Sequence, residues 1–293
     1  MLRRHLNGKT RRYARAIWFR LSEPLARAFA EAPPPPKVAA KGVYCLDVET
    51  RSALLAKNAS FKFPPASTIK LATALVLIRT TQGDLGRPVT IEPRDCVGDL
   101  ESRMRLRAGD VVTHDDLLHG LMLASGNDAA KAIARSIGGE LLEEEGGEGD
   151  PVARFVQAMN RLAASLNLSR TRFVNPSGLP VTGQYSTARD LTLLGAEAFS
   201  ESVIREVSQK RTHVVETRGP CRRRIEIGST MQLLGEEGIV CGKTGTTEEG
   251  EASLVLYSLL AGRPVVTALV ASWTSTRYAD ARRILDRLAR SDR

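Results

Sequence analysis

The chain has 293 residues, 42% of them hydrophobic and 26% charged, enough to bury a sizeable core in one large domain or in two lobes that share a cleft. Its formal net charge of +9 favours anionic partners, although much of that charge sits in an Arg-rich, acid-free stretch over the first twenty residues. The composition excludes several classes: no run of 18 apolar residues could span a membrane, no basic stretch interleaved with aromatics suggests nucleic-acid binding, and no Cys-x-x-Cys suggests a zinc ribbon or redox motif.

The N-terminus starts basic and has small residues around Ala28 and Ala30, as a secretory signal would, but Arg20, Glu23 and Arg27 break its apolar core. It reads equally as a degenerate signal or as a basic segment against a membrane surface. EAPPPPK at 31–37 is a stiff extended spacer, so the boundary is drawn there: a segment 1–38, then a domain 39–293. GVYCLDVE is predicted as a strand that turns back through ALLAKN as a hairpin. STIKLATALVLIRT, starting at Ser67, is apolar on nearly every side and predicts a buried helix.

Short strands are expected at VTIEP and MRLRAGDVVT. Thr113 and Asp116 then form a capping-box pattern at the head of a helix that breaks at Ser125-Gly126 and resumes as DAAKAIARSIGG. Residues 140–151, ELLEEEGGEGDP, predict a solvated acidic loop. Two further helices follow, PVARFVQAMNRLAASLNL and, behind a second capping box from Thr187 to Asp190, STARDLTLLGAEAF. The last ninety residues turn to strands: HVVETR, RRRIEIG, GIVCGKTG, EASLVLYSLL and PVVTALVAS. A closing helix has apolar residues at 278, 281, 285 and 288. Strands at both ends and helices in the middle predict a sheet built from both termini around a helical insertion.

Three short clusters could carry chemistry. Ser67-x-x-Lys70 puts a lysine one turn after a serine on the same helix face. A lysine made neutral by burial and a nearby cation could take the serine proton; equally, the pair could be a capped helix with a snorkelling lysine. Ser125-Gly126-Asn127 at the helix break could relay a proton and hold an amide, or simply make a turn. Lys243-Thr244-Gly245 ends a strand-like run; Gly242-Lys243-Thr244 matches the tail of a phosphate loop, but that pattern needs a glycine where Glu237 stands. On an edge strand these residues could instead bind a carboxylate and let a peptide lie alongside.

Together, in this order and spacing, the three clusters resemble the motif set of the penicillin-recognising serine enzymes. Between them, AKNASFKFPPASTIKLATALVL, SRMRLRAGDVVTHDDLLHGLMLASGNDAAKAIA, NPSGLPVTGQYSTARDLTLLG and CGKTGTT are similar to the low-molecular-weight D-alanyl-D-alanine carboxypeptidases, over nearly the whole domain. The resemblance implies a β-lactamase/transpeptidase-like α/β (α+β) fold, a central antiparallel sheet flanked by helices with an inserted all-helical subdomain. It implies Ser67 as acylated nucleophile and Lys70 as its base. Ser125 and Asn127 would serve as proton relay and substrate contact, and Lys243 would keep Lys70 neutral. With Thr244, Lys243 would receive the terminal carboxylate. Gly245 and Thr246 complete the substrate-binding strand, and the N–H groups of Ser67 and Thr246 form the oxyanion hole. The substrate would be the peptidoglycan stem peptide, β-lactams would be covalent inhibitors, no metal or other cofactor would take part, and the site of action would be periplasmic or extracytoplasmic. Membrane contact would fall to the N-terminal segment.

The family's usual Asn-x-Asn-x-Leu-Leu segment is here Ser229-Thr230-Met231-Gln232-Leu233-Leu234, with both asparagines replaced. No match is found for the substrate-contacting arginine of some relatives, and Arg222, Arg223 and Arg224 lie upstream. Glu248, Glu249 and Glu251 make the strand exit acidic. A D,D-endopeptidase or a catalytically impaired wall sensor therefore stand as alternatives. A class A β-lactamase is disfavoured because no Glu-x-x-Leu-Asn loop is present. A zinc peptidase is disfavoured because His5, His114, His119 and His213 show no metal-ligand spacing. Cys45, Cys96, Cys221 and Cys241 read as buried small hydrophobes or as two disulfides.

Overall fold

The computed structural model describes residues 32–220, 222–247 and 249–291. Its centre is a five-stranded, wholly antiparallel sheet in the order β2-β1-β9-β8-β7, made of β1 (Gly42–Asp47), β2 (Ala53–Lys57), β7 (Ile239–Thr246), β8 (Glu251–Leu260) and β9 (Arg263–Trp273). The chain's first and last strands are neighbours: Tyr44 lies opposite Ala268. Every residue of β1 is buried because helices cover both faces, so the strand reads as a continuous apolar run. Tyr44 and Leu46 point into one hydrophobic cluster, and Val43 and Cys45 into the other, following the period of two.

The closing helix α7 (Arg277–Ser291) covers one face with Tyr278, Ala281, Ile284, Leu285 and Leu288, the stripe predicted from the sequence plus Ile284. The other face carries α1 (Lys70–Thr81), buried along almost its whole length, and α5 (Ala188–Ser200). A lobe inserted between β2 and β7 adds α2 (His114–Met122), α3 (Asn127–Glu145), α4 (Pro151–Ser165) and α6 (Ser202–Ser208). This lobe is helical but also carries two ribbons, β3 (Pro88–Thr90) with β4 (Val111–Thr113) and β5 (Thr212–Glu216) with β6 (Arg224–Gly228). Only the last residues of the MRLRAGDVVT stretch are strand, because residues 102–106 bond to α3 instead.

The capping box at Thr113 forms as predicted, each partner bonding the other's backbone N–H. At Thr187 half of it forms: the hydroxyl accepts from Asp190 N, while the Asp190 carboxylate turns to Arg170 N and Thr171 Oγ1. The acidic stretch expected as loop is helical as far as Glu145, since Leu and Glu are good helix formers. Gly146, at φ 64°, ends the helix. Glu145 then pairs with Arg154 of α4, at 2.9 Å from its Nε. Asp150 and Pro151 start α4 as N-cap and first residue.

Candidate active site

The chain enters α1 through a tight turn over Ala66–Ile69, with Ala66 at φ 49° and the Thr68 hydroxyl donating to Pro65 O at 2.6 Å. This turn puts Ser67 one turn ahead of Lys70, and Lys70 Nζ lies 2.8 Å from Ser67 Oγ. The same Nζ lies 2.8 Å from Asn127 Oδ1 and 2.5 Å from Ser177 O. Both of these oxygens can only accept. As an ammonium, Nζ donates to all three oxygens; as a neutral amine, with two N–H groups and one lone pair, it would keep its protons on Asn127 Oδ1 and Ser177 O and turn the lone pair to the Ser67 hydroxyl. Burial pushes the Lys70 amine well below the ordinary lysine range, and the nearby Lys243 ammonium adds to this against the opposing pull of Asp128 and Glu101.

Between α2 and α3 the chain turns at Ser125, which is at φ 56°, and Gly126. A Cβ at Gly126 would lie 2.6 Å from Asp128 Oδ1, which is why the position needs glycine. The turn aims Ser125 Oγ at Lys243 Nζ, 2.8 Å away. Lys243 is on β7, the open edge of the sheet, and is itself buried; burial and then Arg277 push its amine down to about 7. The Thr244 hydroxyl lies 2.7 Å from that of Thr230, so the divergent segment at 229–234 still bonds to the site strand. Tyr278 OH donates to Thr230 O at 2.7 Å and fixes that segment from α7.

Two glycines bring the backbone of Ser67 close to its neighbours. A Cβ on Gly245 would sit 3.2 Å from Ser67 N, so β7 and the Ser67 turn lie against each other. Gly178, at φ 89°, would clash with Ala66 O at 2.1 Å if it carried a Cβ. It belongs to an Asn-Pro-Ser-Gly turn whose Asn175 Oδ1 accepts from Gly178 N at 2.8 Å, and the turn presents Ser177 O to Lys70. A cleft of about 410 Å³ opens here, lined by Pro65, Ala66, Gly178, Val181 and Thr246 among others.

The structure thus bonds Ser67, Lys70 and Asn127 to one another and Ser125 to Lys243, with Thr244, Gly245 and Thr246 following on β7; of these, Thr246 lines the cleft. Three participants are missing from the sequence reading. Arg277, at the first position of α7, bonds Gly245 O at 3.1 Å and Thr246 Oγ1 at 3.2 Å. It holds a cation where the sequence offered no match, and the signal was its place beside Tyr278 on the buried stripe. Ser177, through its carbonyl, has no sequence signal at all. Glu101 accepts from Asn127 Nδ2 at 2.8 Å. Of the upstream arginines, Arg223 bonds Asp110 and Arg105 O, outside the cleft, and Arg222 and Arg224 are exposed. Glu251 pairs with Lys41 at 2.6 Å, and Glu248 lies outside the described residues.

Elsewhere, His119 and His213 stack at 3.7 Å with Asp115 beside them, a juxtaposition the sequence spacing did not suggest. Near-parallel rings do not aim their lone pairs at one ion, and Lys210 Nζ already lies 2.8 Å from His119 Nε2. Cys45, Cys96 and Cys241 are free thiols, and burial pushes the Cys45 thiol up to about 12. Cys221 lies outside the described residues, as do residues 1–31, where the N-terminal expectations fall.

A serine held 2.8 Å from a buried lysine whose pKa is pushed down, facing an edge strand that can accept a peptide, is the arrangement of a serine acyl-transfer enzyme. Residues 28–272 match the family model Peptidase S11, D-alanyl-D-alanine carboxypeptidase, and the chain belongs to that family: it is a serine-type D-Ala-D-Ala carboxypeptidase of peptidoglycan. The D-alanyl-D-alanine carboxypeptidase of Streptomyces sp. strain K15 is 32% identical over 86% of this chain and 87% of its own length. A D-alanyl-D-alanine endopeptidase of Pseudomonas aeruginosa is 29% identical over 90% of this chain and 84% of its own. The crystal structure of the Streptomyces K15 DD-transpeptidase superposes with a TM-score of 0.78 at 31% identity, covering 86% of this chain and 97% of that one.

Proposed function

We propose that Ser67 is the acylated nucleophile and Lys70 its base. The observation that carries this reading is the place of Lys70 Nζ, 2.8 Å from Ser67 Oγ with its other two partners acceptors only, so that on losing a proton its lone pair turns to Ser67 Oγ–H. Lys70 takes the hydroxyl proton as Oγ attacks the carbonyl of the penultimate D-alanine. The N–H groups of Ser67 and Thr246 receive the oxyanion, where charge develops only in the transition state. Ser125, bonded to Lys243, passes its proton to the departing D-alanine amine as the C–N bond breaks and takes the proton held on Lys70 in its place, which returns Lys70 to the neutral base; Asn127 orients the stem peptide along β7. Lys243, Thr244 and Arg277 receive the terminal carboxylate; the position of Arg277 against Thr246 supports its inclusion. Water then hydrolyses the acyl-enzyme with Lys70 again as base. β-Lactams acylate the same serine, and no step calls on a metal.

The substrate is the stem peptide outside the cytoplasm, where S11 enzymes act on the wall. We assign membrane contact, if the protein makes any, to the basic N-terminal segment preceding the domain at 39–293. Terminal D-alanine removal is the principal activity, and the similarity to a named endopeptidase supports cross-link cleavage as a second one.

Intact-mass spectrometry after incubation with benzylpenicillin tests the nucleophile. One adduct of the drug's mass is expected on the wild-type protein and none on Ser67→Ala, with D-alanine released from a pentapeptide only by the wild type. Folded wild-type protein that forms no adduct would overturn the catalytic reading in favour of a non-catalytic wall binder.

A further inference from the structure

Glu101 lies outside the three motif clusters, yet it is held at the centre of their network. The backbone after it is pinned to the start of α3 at three points. Asn127 N donates to Ser102 O at 2.7 Å, Met104 N to Asp128 Oδ1 at 3.0 Å, and Leu106 N to Asp128 Oδ2 at 3.1 Å. This pinning delivers the Glu101 carboxylate to Asn127, whose Nδ2 donates to Oε2 at 2.8 Å.

An amide side chain has one donor end and one acceptor end. With Nδ2 on a carboxylate, Oδ1 is turned to Lys70 Nζ, 2.8 Å away. The flipped amide would set oxygen against carboxylate oxygen and N–H against the N–H groups of Lys70. Glu101 therefore selects the amide orientation that leaves the Lys70 lone pair for Ser67.

The charges around Lys70 come from three sides. Lys243 faces it from β7, with Arg277 behind, and favours the neutral amine. Asp128 stands on α3, buried, with both oxygens bonded to backbone N–H groups. The Asn175–Leu179 turn contributes only the neutral Ser177 carbonyl. Glu101 is the third charge. Oε2 is held by Asn127, and the side chain is half-buried.

We propose that Glu101 is a positioning residue that acts through Asn127 to set both the orientation and the protonation of Lys70, and with it the pH at which Ser67 is acylated. The proposal rests on the Ser67–Lys70 reading above. A negative charge one amide away from Lys70 favours the ammonium, so Glu101 opposes Lys243 and raises the pH at which Lys70 becomes a base.

The test is the pH dependence of the second-order rate of acylation by benzylpenicillin in the full chain. Glu101→Gln keeps an acceptor for Asn127 and removes only the charge. Its acid limb is expected to move to lower pH by about half a unit to one unit, after allowance for solvent screening of a half-buried carboxylate. Glu101→Asp keeps the charge and is expected to hold the limb near the wild-type position. Glu101→Ala also frees the Asn127 amide, and a fall in the plateau rate of about tenfold is expected on top of the shift. A Glu101→Gln protein with wild-type melting and an unshifted acid limb would overturn the role of Glu101 alone. Wild-type protein unacylated at every pH would overturn the Ser67–Lys70 reading, and this role with it.

Discussion

Lys243 and Arg277 meet at one end of β7 with their charges directed at the same strand. Arg277 is buried, and its guanidinium bonds Gly245 O, Thr246 Oγ1 and Tyr278 OH, so it is rigid before any ligand arrives. A pre-oriented cation at the point where a peptide carboxylate ends contributes to binding with little ordering cost. Arg277→Leu is expected to raise KM for a D-Ala-D-Ala peptide and to lower kcat/KM by about 10- to 100-fold, as loss of one charge-assisted contact would. Steady-state kinetics beside a melting curve checks this; kinetics unchanged within twofold would remove Arg277 from the carboxylate site. At this scale the placing of Ser67 beside Lys70, and of Lys243 on a strand, was legible because an i, i+3 spacing on a helix and a Lys-Thr-Gly on a strand are local patterns. Arg277, Ser177 and Glu101 were not, because each bonds across the fold: Arg277 is 31 positions from Thr246, and Ser177 is 107 from Lys70.

The turn at Ala66–Ile69, the Asn175–Leu179 turn and the end of β7 are packed so closely around Ser67 N that the local elements, more than any side chain, shape the proposed oxyanion hole. Gly178→Ala is the sharpest probe. Its added Cβ would lie 2.1 Å from Ala66 O at a backbone φ of 89°, so the turn must shift away from Ser67. Loss of a single oxyanion donor costs about 10²- to 10³-fold. Benzylpenicillin acylation slowed by at least that lower bound, with circular dichroism unchanged, is the expected result; a wild-type acylation rate would show that the turn tolerates displacement. Elements with strong local codes matched their predictions: the buried α1, the Thr113 capping box and the apolar stripe of α7. The stretch 140–151 did not. Its glycines and acids read as loop, yet the helix runs on to Glu145, where tertiary pairing with Arg154 outweighs the local turn signals. The short helix α6 and the ribbons of the inserted lobe had no periodicity long enough to stand out.

For the whole molecule, the buried lysine pair is a standing cost. Lys243 is held at about 7 and Lys70 well below its ordinary value, while in the unfolded chain both would titrate near 10.5. Between the folded and unfolded values the unfolded chain binds more protons, so the contribution of these groups to stability rises with pH across that window. Lys70→Met is therefore expected to raise Tm at pH 7 while abolishing acylation, and the gain in Tm over wild type should shrink by pH 10. A lower Tm for the variant at pH 7 would show that the hydrogen bonds of the amine outweigh its desolvation. The layered architecture was legible from the order of strands and helices. The cleft was legible only as motifs awaiting a geometry, since no sequence spacing states that β7 is an edge strand.

The pairing of β1 with β9 has a further consequence for biosynthesis. Asp280, at the start of the last helix, accepts hydrogen bonds from Ala39 N and Ala40 N, the latter 240 residues earlier. β1 and β2 leave the ribosome well before β9, so β1 waits for a partner strand made much later in the chain. Long-range pairing of this kind is slow and cannot start on a partial chain. The Ser67 turn leaves the ribosome well before the strand and the arginine that face it. A nascent chain that has not reached β7 therefore carries Ser67 and Lys70 without Lys243 or Arg277. On the proposed roles of these residues, acylation waits until β7 and α7 have docked.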